Sequence, residues 1–219
     1  MNKTNICWCD YTWNPVTGCH HGCPYCSAEK MAKRLRGRAG YPADEPFKPM
    51  FHPHRLNEPA KVKKPSRIFV SSMGDLFGDW VDDAAIQSVF RACKRAPQHR
   101  YFFLTKNPYR YLRLPCHVPD NGYLGASITT AIAARKVSDN PMLDFISIEP
   151  LLEDVAEDLE ADNFRWIIIG AQTRPDRRPP SDWVNNILAA AGDACTPVWC
   201  KDNLRHYWPD LPQERESER

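Results

Sequence analysis

"RIFVSSMGDLFGDWVDDAAIQSVFRACKRAPQHRYFFLT", residues 67–105, holds one complete cycle of the pattern that organises this chain. Two short runs dense in Ile, Phe and Val, RIFVSS (67–72) and RYFFLT (100–105), are mostly apolar on both faces, as buried parallel strands are. Between them DDAAIQSVFRACKRA (82–96) starts acidic and places Ile86, Val89, Phe90 and Cys93 at helical spacing. It ends basic before Pro97, which completes the signature of a helix. A strand, a helix and a second strand form the unit from which parallel sheets are built.

Outward from this unit the strand pattern recurs at GYLGAS (122–127), DFISIE (144–149), RWIIIG (165–170) and TPVWCK (196–201), and a strand around Ile6 to Trp13 brings the total to seven. PPSDWVNNILAAAG (179–192) reads as a helix with Ser181 or Asp182 as N-cap and Gly192 as its stop. SAEKMAKRLRGR (27–38) reads as another, with Ala28, Met31, Ala32 and Leu35 on one face. The alternation predicts an α/β fold with a mostly parallel sheet. Seven strands are one short of a full eightfold barrel, so the expectation is a partial (β/α)6-7 TIM-type barrel. A length of 219 residues suits one domain, 1–219, ending in a frayed polar tail, PQERESER (212–219).

A chain of this size buries roughly 70% of its unfolded surface and needs no disulfides to hold a core. Twenty-nine basic against 27 acidic residues give a net charge of +2, too small to imply a nucleic-acid or membrane partner. The opening MNKTNICWCDYTW shows no basic-then-apolar leader, and no run approaches the roughly 18 apolar residues of a membrane helix. A cytoplasmic setting is the natural expectation. There, nine cysteines, an odd number, point to metal binding or catalysis in place of a disulfide framework.

In such a fold the chemistry gathers at the carboxyl ends of the strands. The residues just past each apolar run are Ser72, Met73, Gly74 and Asp75; Thr105 and Lys106; Ser127 and Thr129; Glu149; Gln172; and Lys201. Each has a structural alternative: Asp75 as a turn or cap residue, Lys106 as a surface charge at a helix entry, Glu149 as half of a buried ion pair. Gly74 either opens the backbone to a ligand or makes a turn. The basic segment FHPHRLNEPAKVKKP (51–65) reads as a solvated linker, with contact to a phosphate backbone as the alternative.

The first strand ends in the densest chemistry of the chain, WNPVTGCHHGCPYC (13–26), a cluster loop at 19–26 with Cys19, Cys23 and Cys26 spaced x3 and x2. Gly18 and Gly22 supply the backbone angles a tight loop needs, and Pro24 stiffens it. A structural zinc ion would want a fourth ligand, for which Cys7, Cys9, His20 and His21 are candidates. An iron–sulfur cluster takes thiolates, usually four, so three would leave one iron open. Cys93 on its helix face reads as a buried small hydrophobe; Cys7, Cys9 and Cys200 carry no assigned role, and Cys116 and Cys195 have no partner at ligand spacing.

The x3/x2 spacing, its place after the first strand and the strand-helix alternation resemble the radical S-adenosylmethionine (SAM) superfamily. The blocks WNPVTGCHHGCPYC, YPADEPFKPMFHPHRLNEP, RIFVSSMGDLF, FFLTKNP, ISIEPLL and WIIIGAQT further resemble the phage-protein Gp37/Gp68 group, a three-Cys-motif, DUF5131-like family. Members of that group often have a wider first gap, an aromatic where this chain has Ser27, and Gly-Glu where it has Ala171-Gln172.

The resemblance implies a radical-SAM-like barrel and an enzyme in which Cys19, Cys23 and Cys26 hold a [4Fe-4S] cluster whose open iron chelates SAM. Its expected chemistry is release of a 5'-deoxyadenosyl radical that abstracts hydrogen from an unidentified substrate. A nucleobase or nucleic acid is the class suggested by the phage association and the basic loop. Tyr25 would lie near the adenine, and Ser72, Gly74 and Asp75 near the SAM amino group. Lys106 and Ser127 would meet its carboxylate and ribose, and Glu149 the ribose or the substrate. An external one-electron donor such as flavodoxin or ferredoxin is implied, and no membrane. Two other readings stand beside this one: a noncatalytic zinc or iron–sulfur module binding nucleic acid or a partner protein, and a barrel that keeps the cluster as a redox or scaffold subunit.

Overall fold

The structure, a computed structural model, describes residues 1–216. The chain divides into two compact units, Met1–Tyr123 and the residues from Leu124 on. The main sheet counts eight strands, the seven expected and one short edge strand at the amino end.

In the first unit the elements are β1 (Asn2–Lys3), β2 (Tyr11–Trp13), β3 (Val16–Thr17), α1 (Ser27–Arg34), β4 (Met50–Phe51), β5 (Arg67–Val70), α2 (Asp83–Lys94) and β6 (Arg100–Thr105), with β7 (Gly122–Ile128) beginning at its end. β1 pairs antiparallel with β2, and β2, β5 and β6 run parallel in that order. β3 and β4 form a separate antiparallel pair. The expected helix between the two central strands is α2, which buries Ala85, Ile86, Val89, Phe90, Ala92 and Cys93. Its Phe90 ring lies 5.3 Å from Phe103 of β6 and 6.2 Å from Phe77, centroid to centroid. Burying a ring of this size contributes about 2–3 kcal/mol, so this face carries much of the unit's core.

The second unit continues with α3 (Ala131–Ser138), β8 (Phe145–Ile148), β9 (Trp166–Ile169), β10 (Gln172–Thr173), β11 (Asp176–Arg177), α4 (Ser181–Asp193), β12 (Val198–Cys200) and α5 (Asp202–Arg205). β7, β8, β9 and β12 are parallel neighbours in that order. Every residue of β8, β9 and β12 is buried, which accounts for their unbroken apolar runs. The α/β class with a mostly parallel sheet is therefore as the sequence predicts. No helix among the described residues is long and apolar enough to cross a membrane.

Several local expectations change. The N-cap of α4 is Pro180, with neither Ser181 nor Asp182 capping, and the helix runs through Gly192 to Asp193. Residues 212–216, expected to fray, instead bond along β12: Cys200 N–H donates to the Pro212 carbonyl and Glu214 N–H to that of Val198. The rest of the expected tail, 217–219, lies outside the described residues.

The basic segment 51–65 is only partly a solvated linker. Lys61, Lys63 and Lys64 are exposed. Arg55, however, donates to the Asn14 and Ala39 carbonyls, and Trp13 Nε1 donates to the Arg55 carbonyl. His52 is buried, its Nε2 at 2.8 Å from Thr17 Oγ1. Burial first, then the charges of Arg55 and His54, push the His52 imidazole from its ordinary 6.5 down to about 4. The folded value lies below the unfolded one, so between pH 6.5 and 4 the unfolded chain binds the extra proton. Stability is then full above about pH 6.5 and declines as pH falls toward 4, by up to roughly 3 kcal/mol. Urea unfolding across this range should show that decline in the wild type and its attenuation in His52→Gln.

Candidate functional site

The cysteine loop is built on the carboxyl ends of β2 and β5. Ser71 N–H donates to the Trp13 carbonyl (2.7 Å), Met73 N–H to Asn14 Oδ1 (2.8 Å) and Gly18 N–H to the Met73 carbonyl (2.8 Å), so the chain after β5 is stitched to the chain entering the loop. At Gly18 the backbone takes φ +82°, and an added Cβ would lie 2.2 Å from the Lys48 carbonyl oxygen. Gly74 bridges to Gly18, and a Cβ on it would meet the Gly18 oxygen at 2.7 Å. Its glycine is thus required by backbone meeting backbone, a tighter reason than the ligand approach or turn expected. Gly22 takes φ +65° with nothing near it, the turn residue the spacing predicts.

Cys19, Cys23 and Cys26 are half-buried free thiols that line one cavity of about 380 Å³ together with Phe47 and Lys48. Cys26 is the N-cap of α1, its Sγ accepting from Glu29 N–H at 3.3 Å. Cys19 Sγ accepts from His21 N–H at 3.4 Å. Burial pushes the Cys19 thiol up to about 12 against the help of the His21 amide, and burial likewise raises Cys26 against the amides of Glu29 and Ala28. Such thiols keep their protons until a cation replaces that charge, which is how metal binding couples to proton release. Three thiols with N–H donors on two sulfurs fit an iron–sulfur cluster, which takes each thiolate on its own iron. Of the two histidines named as candidate zinc ligands, His21 is engaged elsewhere, its Nε2 2.8 Å from Asp75 Oδ2, whereas His20 packs edge-on against Trp80 and lines the same cavity as the cysteines. Among the described residues no three His, Cys, Asp or Glu side chains meet at a single-ion position.

Asp75 is the hub beneath this loop. Its buried carboxylate accepts from Phe77 N–H (2.9 Å), Thr105 Oγ1 (2.8 and 2.9 Å) and Lys106 N–H (3.1 Å) in addition to contacting His21. Its lone pairs are thus shared among four protein partners. Lys106 Nζ sits 5.5 Å from the centre of the Tyr25 ring, so these two expected residues do meet. Ser72 donates to Asn14 Oδ1 at 3.2 Å.

The remaining expected residues lie in the second unit. Ser127 is on β7 in register with Ser147 of β8. Glu149 follows β8 and is ion-paired with Lys201, the pairing that the structural alternative describes, although both side chains keep some exposure. From the sequence His21 is only a candidate zinc ligand and Lys201 only a polar strand end, so the pairs they form are missed. Their partners, Asp75 and Glu149, are 54 and 52 positions distant, and no local pattern signals such pairs.

Residues 3–213 match the family model described as "Protein of unknown function (DUF5131)". The chain belongs to this family. Comparison of this family member with curated proteins found no match. Among solved structures, a cysteine-to-serine variant of spore photoproduct lyase matches with a TM-score of 0.54 at 14% identity, over 87% of this chain and 62% of that one. A tyrosine-to-phenylalanine variant matches at 0.58 and 13%, over 91% and 78%. A doubly substituted variant with bound AdoMet and dinucleoside spore photoproduct matches at 0.52 and 13%, over 87% and 63%. The chain spans about three fifths of the length of the first of these structures. What the DUF5131 chain shares with them is the fold.

Proposed function

We propose that this chain is a radical SAM enzyme holding a [4Fe-4S] cluster on Cys19, Cys23 and Cys26, with SAM beside it. The observation that carries the proposal is the cysteine loop: three thiols at x3/x2 spacing, after the first parallel strand, around one cavity. It is supported by a fold shared with a lyase solved with AdoMet bound. When bound, cluster and SAM supply a 5'-deoxyadenosyl radical for hydrogen abstraction, given one electron from an external donor such as flavodoxin or ferredoxin.

The chain's own part is positioning. The loop presents three sulfurs that would hold the cluster, and the His21 and Glu29 amides, which donate to Cys19 and Cys26 Sγ, would stabilise those two as thiolates by N–H···S bonds. The Tyr25 ring, flanked by the Lys106 ammonium, offers a flat wall for the adenine, and that ammonium a partner for the SAM carboxylate. Ser72 and the backbone of Gly74 serve the SAM amino group, while Asp75 acts through His21 as a positioning residue. Ser127 on β7 and Glu149 just past β8 are polar groups that the second unit itself offers to a substrate. The substrate class in this reading is a nucleobase or nucleic acid, in keeping with the dinucleoside in the lyase structures. The reading includes a single catalytic domain in a reducing cytoplasm and kinship with the phage Gp37/Gp68 group.

Anaerobic reconstitution with iron and sulfide tests the proposal. The expected result is a brown protein with iron and acid-labile sulfide in equal amounts that cleaves SAM under dithionite. Cys23→Ala should bring cluster content to background. A colourless protein holding tightly bound zinc, or full cluster content in Cys23→Ala, would overturn the assignment.

A further inference from the structure

In the second unit, Ile148 of β8 pairs with Ile169 of β9, and Ile169 with Cys200 of β12. The next residue on each strand, Glu149, Gly170 and Lys201, therefore stands in one row at the carboxyl ends. A Cβ on Gly170 would lie 3.1 Å from Glu149 Cγ and 3.1 Å from Lys201 Cδ, so the two long side chains converge over the glycine from the flanking strands. Lys201 Nζ donates to Glu149 Oε1. The Lys201 side chain is 17% exposed and that of Glu149 30%.

Fold stability does not explain this arrangement. A partly exposed ion pair contributes little net stability, and apolar side chains would join β8 to β12 at least as well. The pair also leaves valences over. Glu149 Oε2 and the remaining Nζ hydrogens of Lys201 have no partner among the described residues. One level below on the same face, by strand alternation, Ser147 is 1% exposed and its hydroxyl likewise has no partner among them. A buried hydroxyl without a partner marks a place where something polar is accommodated. Row, pair and hydroxyl stand where α/β folds of this kind bind their ligands.

We propose that Glu149 and Lys201 form a two-point recognition site for an imide or amide edge of the substrate. An N–H of the substrate donates to Glu149 Oε2, and its adjacent carbonyl accepts from Lys201 Nζ. A thymine or uracil base presents that edge, with the N–H between two carbonyls. The net-neutral pair suits a neutral base better than an anion. This inference rests on the enzyme reading for its biological meaning, but the binding needs neither iron nor SAM, so the two can fail separately.

The test uses the full chain without cluster, ¹⁵N-labelled, titrated with thymidine. The Gly170 and Ala171 amide resonances should shift saturably. N3-methylthymidine, which lacks the N–H, should bind about tenfold more weakly, the loss expected for one hydrogen bond to a charged group. Glu149→Gln and Lys201→Met should weaken thymidine binding by about the same factor, with the resonances of α4, in the same unit, unchanged as evidence of folding. Absence of saturable shifts with thymidine overturns the inference, as does equal affinity for N3-methylthymidine in the wild type, a comparison that needs no variant to fold.

Discussion

Gly18→Ala should destabilise the first unit by about 3 kcal/mol and bring reconstituted iron to background, although no cysteine is touched. Two costs combine. An alanine at φ +82° occupies a backbone region that L side chains avoid, and its Cβ would stand 2.2 Å from the Lys48 carbonyl oxygen. That contact cannot be relieved by a rotamer change, because the obstacle is main chain. Relief requires moving either Lys48, whose neighbour Phe47 accepts from Cys19 N–H, or Gly18, whose N–H is held by the Met73 carbonyl. Either movement displaces Cys19. Gly22→Ala is the control: it shares the positive φ but has nothing within 4 Å, so it should cost about 1 kcal/mol and leave the iron content near wild type. Urea midpoints and iron assays on the two variants decide the matter. Equal behaviour would mean that the contact with Lys48 does not position the loop.

Much of the fold was legible in the sequence because burial on both faces leaves an unmistakable mark. WIII of β9 and FISI of β8 contain no polar alternation except Ser147. α2 was legible through its wide apolar stripe and charged ends. α3 was not: in AIAARKVS the burial falls on Ala134, Val137 and Ser138, while Ile132 is 61% exposed, so no bulky stripe announces a helix. Gly192 misled because a glycine in a helix is tolerated where open space surrounds it. That Cys19, Cys23 and Cys26 stand around one cavity was legible from spacing, since a loop of eight residues brings its own members together. What Asp75 and Gly74 do was hidden, because it depends on which distant backbone stands beside them. The pairing of 18 with 74, of 21 with 75 and of 149 with 201 is decided by sheet order, and no periodicity within a segment encodes it.

Asp75→Ala should cost roughly 3–5 kcal/mol, as much as truncating a fully buried ring. Asp75 is 4% exposed, and its carboxylate is shared by Phe77 N–H, Thr105 Oγ1, Lys106 N–H and His21. Truncation strands these groups where water does not reach them freely. Asp75→Asn gives the sharper experiment. Phe77 N–H approaches Oδ1, whereas Lys106 N–H and His21 approach Oδ2, so a single amide oxygen can serve one side and must turn an NH₂ toward the other. The expected loss is about half that of alanine. Thr105→Val removes one donor from the carboxylate, which keeps its other partners, and the acceptor of the Asn107 N–H, which predicts a loss of about 1.5 kcal/mol. The order Ala, Asn, Val in decreasing effect, read from urea unfolding, is the signature of an acceptor-limited hub. Because His21 lies between Cys19 and Cys23, release of its ring should also loosen the loop, and Asp75→Asn should retain less iron than Thr105→Val after identical reconstitution. Equal stability of Asp75→Asn and wild type would show that His21 and the two amides find other acceptors, and the carboxylate would then be available to a ligand after all.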